Sequence, residues 1–516
     1  VEKDMDTILD TAIGFVPKEC LIAAVHRDVR AWCREDGDWQ KTYERIKEKY
    51  GYSVYGGGCH MIPNHAIMVM AWCYAPDDFR QAQAIINTAG WDTDCNAANV
   101  GSVMGVKVGL EGINRSYDFQ GPMADRMVLP TAEGTRSVTD CLNEALEIAA
   151  MGRRTMGWDE VPRPRDGAMH HFSLPGALHG YMSEDEAFDS RGAARVSNVE
   201  NGKDSRGMLI EATGLCAGRP ARVSTPVLCR PRKGGYTVMG TPRLCSGMSV
   251  TLEGSVKSVE GSVEAALYVR YGNAETKSFD SVAHGKRVAL KAGKPLSLSL
   301  AVPDTRGWPV SDVGIEITGE NRARADVLVD KVSFSGGPDI SIPAPLPTDQ
   351  DGSILGWIID TNKTRNNVGY RFPDAQVLNK DQGRGHLVTG TLDWKDYTFE
   401  TDFFVHCGDA AGILVRYQGL RRYVALAYRK GKLQLLRVCY EEKVLGETDA
   451  AWEVDELHKL TLVARGDSIT AHVDGKKVLE CSEKELSFGG VGYLVENGSA
   501  GFRNLKVSAT AHKRGA

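Results

Sequence analysis

Gly90-Trp91-Asp92-Thr93-Asp94-Cys95-Asn96-Ala97-Ala98-Asn99-Val100-Gly101 is the stretch on which the reading of this chain turns. Two carboxylates one residue apart sit between a helix expected to end near Thr88 and another expected to open near Cys95. Such a pair is a plausible half-site for a hard divalent cation like Mg²⁺, which prefers oxygen ligands, keeps several waters and draws one or two carboxylates from a segment. The positive end of the helix stabilises carboxylates and not a cation, so Asp92 and Asp94 must supply the attraction. The plain alternative is a helix cap at Asp94 and a loop residue at Asp92. Gly101, Gly105 and Gly109 then recur every four residues. That bare stripe costs roughly 1 kcal/mol of helix propensity per glycine relative to alanine and predicts close packing by a neighbouring helix.

Around this turn the pattern is helical. From Met5 to about Met151 apolar residues recur at helical spacing, as in Ile22, Val25, Val29 and Trp32, or Trp39, Tyr43, Ile46 and Tyr50. The run from Ile67 to Cys73 is apolar on every face, which predicts a helix buried inside a sizeable core. Val138, Leu142 and Leu146 predict one more amphipathic helix. Beyond about residue 190 alternation replaces the helical period. Leu267–Tyr271, Leu296–Leu300 and Val313–Ile317 are short strands bounded by Gly, Pro or Asp, with no helices between them, and predict a β-sandwich.

Ile342-Pro343-Ala344-Pro345-Leu346-Pro347 favours an extended, semi-rigid connector. A second sandwich is expected after it, including a hairpin at Asp474-Gly475, where a two-residue turn needs positive backbone dihedrals. The expected organisation is therefore multidomain α plus β: an all-α domain over 1–155, a β-sandwich over 165–340, a Pro-rich linker over 341–350 and a second antiparallel sandwich over 351–510.

A chain of 516 residues accommodates about three domains. Its 62 basic and 67 acidic residues leave a formal charge of −5, which argues against a generally basic nucleic-acid binder. No uninterrupted apolar run of about 18 residues predicts a membrane span. Twelve cysteines without a CxxC pair leave the redox compartment open.

The run NTAGWDTDCNAANVGSVMGVKVG, from Asn87 to Gly109, resembles the C-terminal signature of the ADP-ribosylglycohydrolase family, in which a G-x-D-T-D-[TC] turn opens a glycine-patterned helix. His60-Met61-Ile62-Pro63-Asn64 before an apolar helix, and Asp77-Asp78-Phe79 before another, resemble it too. The resemblance implies an all-α domain holding two Mg²⁺ ions, with a metal-held water helping to cleave an N- or O-glycosidic bond at a ribofuranose. It implies metal ligation and catalysis by Asp92 and Asp94. Many members carry Thr where this chain has Cys95. A thiol is a poor ligand for Mg²⁺, so either water substitutes or one ion is held more weakly, or is replaced by Mn²⁺ or Ca²⁺. The family's T-D-D motif and G-D-A-x-G helix start do not occur here. The resemblance thus implies a missing N-terminal segment or a complementing chain.

Gly57 and Gly58 are expected in a substrate loop, since adjacent glycines let backbone N–H groups approach a phosphate or sugar. His60, Asn64 and Trp91 are the further candidates for substrate contact. His170-His171 looks like a metal pair, but neighbours on a strand point to opposite faces, so solvated loop residues are expected. The closing strand Ala325–Phe334 resembles that of jelly-roll carbohydrate-binding modules. Tyr397–Glu400, Gly412–Arg416, His472–Gly475 and Gly489–Gly492 resemble a concanavalin or laminin-G-like (DUF1080-type) sandwich. Trp357, Tyr417, Tyr423 and Tyr428 are expected mainly in the sandwich core.

These features together lead us to expect a metal-dependent glycosidase acting on a furanoside-containing glycan, in a secreted or periplasmic setting. The alternatives are an (ADP-ribosyl)-protein hydrolase and a non-catalytic glycan-binding scaffold.

Overall fold

A computed structural model describes residues 2–129, 136–202, 205–229, 239–342, 346–350, 353–366, 372 and 374–510. The chain divides into two compact units, Val1–Met123 and Ala124–Ala516.

Six helices build the first unit: α1 (Met5–Ile13), α2 (Leu21–Asp36), α3 (Trp39–Tyr50), α4 (Met61–Tyr74), α5 (Phe79–Thr88) and α6 (Thr93–Ile113). Short polar residues set their starts. Asp4, Asp38 and Asp78 each accept a first-turn backbone N–H, at 2.8, 3.0 and 2.9 Å, and so satisfy donors that the helix cannot. Gly37 ends α2 with φ +63°, a conformation that glycine adopts without steric cost. Helix α4 is the central element. Ala66, Ile67, Val69, Met70 and Ala71 are fully buried, and α2, α3, α5 and α6 all pack on it. A helix apolar on every face needs such a surround.

The glycine stripe of α6 behaves differently from the expectation. Only Gly101 meets a neighbouring helix closely: a methyl there would lie 2.8 Å from Gln83 Nε2 and 3.8 Å from the Phe79 ring, both on α5. Gly105 has ordinary room, and Gly109, at φ +70°, kinks the helix.

The second unit opens with a strand pair, Arg126–Val128 with Val138–Asp140, followed by helix α7 (Cys141–Thr155). Val138 therefore ends up in a strand, and the expected amphipathic helix starts three residues later. A sandwich follows. Its first sheet runs Val288–Ala289, Val263–Asn273, Val310–Gly319, Ala221–Pro226, Met182–Ser183, with Ser278–His284 also on Val263–Asn273. Its second runs Pro295–Ala301, Met248–Glu260, Ala323–Gly336, Arg206–Leu215, Ala194–Glu200.

The long strand Gly490–Ala509 organises the second sandwich, pairing with Gln376–Thr389, Tyr397–Cys407 and Ala410–Gly419. The Asp474-Gly475 hairpin forms as expected, with φ of +51° and +79°. Trp357, Tyr417 and Tyr423 are buried, while Tyr428 stacks on Trp452 at 4.7 Å. Of the expected connector, Pro343–Pro345 lie outside the described residues. On one side Ile342 pairs with Leu505; on the other Leu346 is buried, its N–H on Gln376 Oε1 at 3.2 Å.

Candidate metal and active site

Residues 89–92 join α5 to α6, and the Asp92–Cys95 turn forms the start of α6. Asp92 occupies the cap position of α6 with left-handed dihedrals (φ 44°, ψ 58°), yet its side chain makes no capping bond. The carboxylate turns instead toward α4, where Asn64 Nδ2 donates to Asp92 Oδ2 at 2.7 Å. Asn64 is 4% exposed and also accepts a hydrogen bond from the Tyr52 hydroxyl. Asp94 lies in the first turn of α6, exposed, and no side chain among the described residues bonds to it. The plain alternative, with Asp94 as the cap and Asp92 as an ordinary loop residue, does not match this arrangement, in which Asp92 occupies the cap position.

Aromatic packing holds the turn in place. The Trp91 ring lies between Tyr43, at 5.1 Å, and Tyr52, at 4.9 Å. The Tyr43 hydroxyl donates to Ala89 O at 2.9 Å, and buried Asn96 donates to Trp91 O at 2.6 Å. Sequence reasoning missed Tyr43 and Tyr52, because their contacts with Trp91 reach across 48 and 39 residues and leave no trace in local spacing. Burial raises the Tyr52 pKa, and the negative charge of Asp92 adds to that effect, so the phenol keeps its proton. Cys95 is exposed, and its thiol is pushed up by its hydrogen bond to Asp92 and by the charges of both carboxylates.

The other expected contacts are distributed around this turn. His60 caps α4, its Nδ1 accepting from Ile62 N at 3.2 Å, and its ring stands 5.6 Å from Tyr55. Gly57 and Gly58 are exposed with nothing near a built methyl group, and Gly57 alone requires glycine, at φ +95°. Asn64 reaches the site through Asp92 instead of through an open cleft.

The donor set can be tested against a cation. One ligand atom each from Asp92, Asp94 and Cys95 lie within 4.8 Å of one another, and among the described residues this is the one such group of three. Two carboxylate oxygens and an exposed edge fit half of a Mg²⁺ site completed by water. The thiol is the misfit in the set.

His170 and His171 are buried, at 5% and 2% exposure, which corrects the expectation of solvated residues. They pack against His179, with ring centroids at 5.2 and 4.9 Å. His179 Nε2 accepts from the backbone N–H of His171 and Phe172, which puts its proton on Nδ1, 3.2 Å from Asp140 Oδ2. Burial lowers the pKa of His171 to about 4.

Carboxylates also gather on the first sandwich, on the sheet face opposite the core residues Val313, Ile315 and Ile317. Glu316, 4% exposed, receives Arg222 at 2.8 Å, the Arg287 guanidinium and, 3.1 Å away, His284 Nε2. Glu184 receives Ser224 at 2.6 Å, Tyr268 at 2.5 Å and Arg270 at 2.7 Å. Burial alone would raise both pKa values, but the arginine bonds hold them below the usual carboxylate range.

Two segments of the chain match family models. Residues 1–154 match the family model described as ADP-ribosylglycohydrolase, and residues 349–508 match that of a 3-keto-alpha-glucoside-1,2-lyase-like domain. No curated protein matches the chain. Similar solved structures include carbohydrate-binding module CBM66 from Bacillus subtilis, 16% identical, covering 30% of this chain and 96% of that one with a TM-score of 0.27. The tandem CBM22 domain of Paenibacillus barcinonensis Xyn10C is 9% identical, covering 66% and 96% with a TM-score of 0.24. Caenorhabditis elegans galectin LEC-6 is 12% identical, covering 27% and 99% with a TM-score of 0.22. The match over residues 1–154 supports hydrolase activity of a glycohydrolase type. Among the described residues no helix is long and apolar enough to cross a membrane.

Proposed function

We propose that this protein is a metal-dependent glycohydrolase that uses Asp92 and Asp94 to hold Mg²⁺ and hydrolyses an N- or O-linked ribofuranosyl bond in a glycan. The observation that carries the reading is the position of Asp92, a cap residue whose carboxylate is withheld from capping and held by Asn64 on another helix. A structural cap would spend that carboxylate on the first turn of α6. The cation would supply Lewis-acid stabilisation of charge developing at the scissile bond.

The rest of the chemistry belongs to the chain. Asp94, exposed and with no side-chain bond among the described residues, is the carboxylate able to take a proton from water arriving from solvent. In the overall reaction the bond from the anomeric carbon to its leaving group breaks, the water oxygen joins that carbon, and the leaving group acquires a proton. The open backbone at Gly57 and Gly58 offers N–H groups to a sugar or phosphate oxygen. A glycan substrate draws support from the C-terminal match, whose description names a glucoside. The match over residues 1–154 keeps (ADP-ribosyl)-protein hydrolysis as the second reading, which requires recognition of the adenosine diphosphate portion as well.

The test is hydrolysis by the full chain with Mg²⁺, on ribofuranosides carrying N- and O-linked leaving groups and on ADP-ribosyl-arginine. Sugar release should fall by about 100-fold or more in an Asp92→Ala, Asp94→Ala double variant, the scale of lost acid–base or metal assistance. No turnover of any of these substrates by the folded wild type contradicts the reading and leaves a glycan-binding scaffold.

A further inference from the structure

A carboxylate has two oxygens, and which of them faces an incoming cation depends on what holds the other. At Asp92 the choice is made outside its own helix. A carboxylate only accepts hydrogen bonds, so the Asn64 amide must present its nitrogen to Asp92. The amide oxygen then points to Tyr52, and a phenol facing an amide oxygen must donate. The chain Tyr52–Asn64–Asp92 therefore has a single consistent direction. Each link is fixed: the Tyr52 ring packs on Trp91, and Asn64 is buried in the first turns of α4. Asp92 Oδ2 is occupied by this chain, which sets where the rest of the carboxylate faces, beside the Cys95 thiol that also bonds to it.

We propose that Tyr52 and Asn64 are positioning residues that orient the Asp92 carboxylate so that it offers one oxygen to a divalent cation beside Asp94. This rests on the metal-site reading given above. Outer partners of a metal ligand commonly affect affinity by about 10–100-fold although they never touch the ion. Tyr52→Phe is the informative change, because it removes one hydroxyl and keeps the ring on Trp91. Without that donor the Asn64 amide loses the bond that fixes its orientation, and Asp92 loses its fixed rotamer.

The experiment measures Mn²⁺ binding to the full chain by electron paramagnetic resonance of the free ion, with no substrate present, for wild type, Tyr52→Phe and Asn64→Ala. Thermal unfolding is recorded for each, alongside crystal structures of wild type and Tyr52→Phe. Affinity should fall by about 10–100-fold in Tyr52→Phe with unfolding near that of wild type. A lower unfolding temperature with unchanged affinity would assign Tyr52 a structural role only and overturn the proposal. If the wild type binds no Mn²⁺, the metal reading fails, and the crystal structures decide the orientation claim separately. Asp92 displaced in Tyr52→Phe keeps that claim, and Asp92 undisplaced removes it.

Discussion

The Asp92–Cys95 turn and the charged face of the first sandwich both gather carboxylates, and they treat them in opposite ways. Glu316 and Glu184 are each met by arginine and further donors, so their charges are internally balanced. Asp94 has no side-chain hydrogen bond or ion pair among the described residues, and Asp92 is held by a neutral amide and a neutral thiol. Balanced carboxylates contribute to folding, whereas carboxylates held in place without a counter-charge are available to something from outside. Partnering, more than the number of acidic residues, separates the candidate site from the framework.

The most severe way to probe that contrast is to remove a framework charge. Glu316→Ala leaves the partly exposed Arg287 without its carboxylate and Arg222 with Asp189 alone, a loss of charged hydrogen bonds worth about 1.5–3 kcal/mol. The urea midpoint of the sandwich unit should drop accordingly, and a midpoint unmoved by the substitution would show that Asp189 and solvent replace Glu316. Acid is a milder probe. His171 is buried and neutral with a pKa near 4 against an ordinary 6.5, so the unfolded chain takes the proton first as pH falls. The stability that the burial of His171 contributes is complete above about pH 6.5 and declines between there and about pH 4. His171→Gln should flatten that decline, as thermal unfolding at pH 7 and at pH 4.5 would register. An equally steep decline in the variant places the acid sensitivity elsewhere. The smallest effect belongs to the site. Asp94→Asn should change stability by less than about 0.5 kcal/mol, as surface substitutions without partners do. A larger loss would make Asp94 a framework residue after all.

Much of the fold was legible in the sequence. Full-circle apolarity from Ile67 to Cys73 identified the central helix, alternation identified the strands, and Asp474-Gly475 located its hairpin. Asp92 and Asp94 stood out as candidates because the turn carries its own local signature. Other features depended on tertiary context. His170 and His171 seemed solvated because nothing nearby in sequence announces His179 and Asp140 as partners. The glycine stripe overstated helix packing, since one of its members serves a kink. Tyr52 and Asn64 acquire their roles from a side-chain chain across two loops and a helix, which no periodicity records.

The account stands or falls on whether the turn holds a cation. Isothermal calorimetry of Mg²⁺ binding to the full-length chain, beside the Asp92→Ala, Asp94→Ala double variant, tests this directly. The account predicts saturable binding to the wild type that disappears in a variant of unchanged thermal stability. A folded wild type that binds no Mg²⁺, or a double variant that binds it equally well, contradicts the assignment of these two carboxylates.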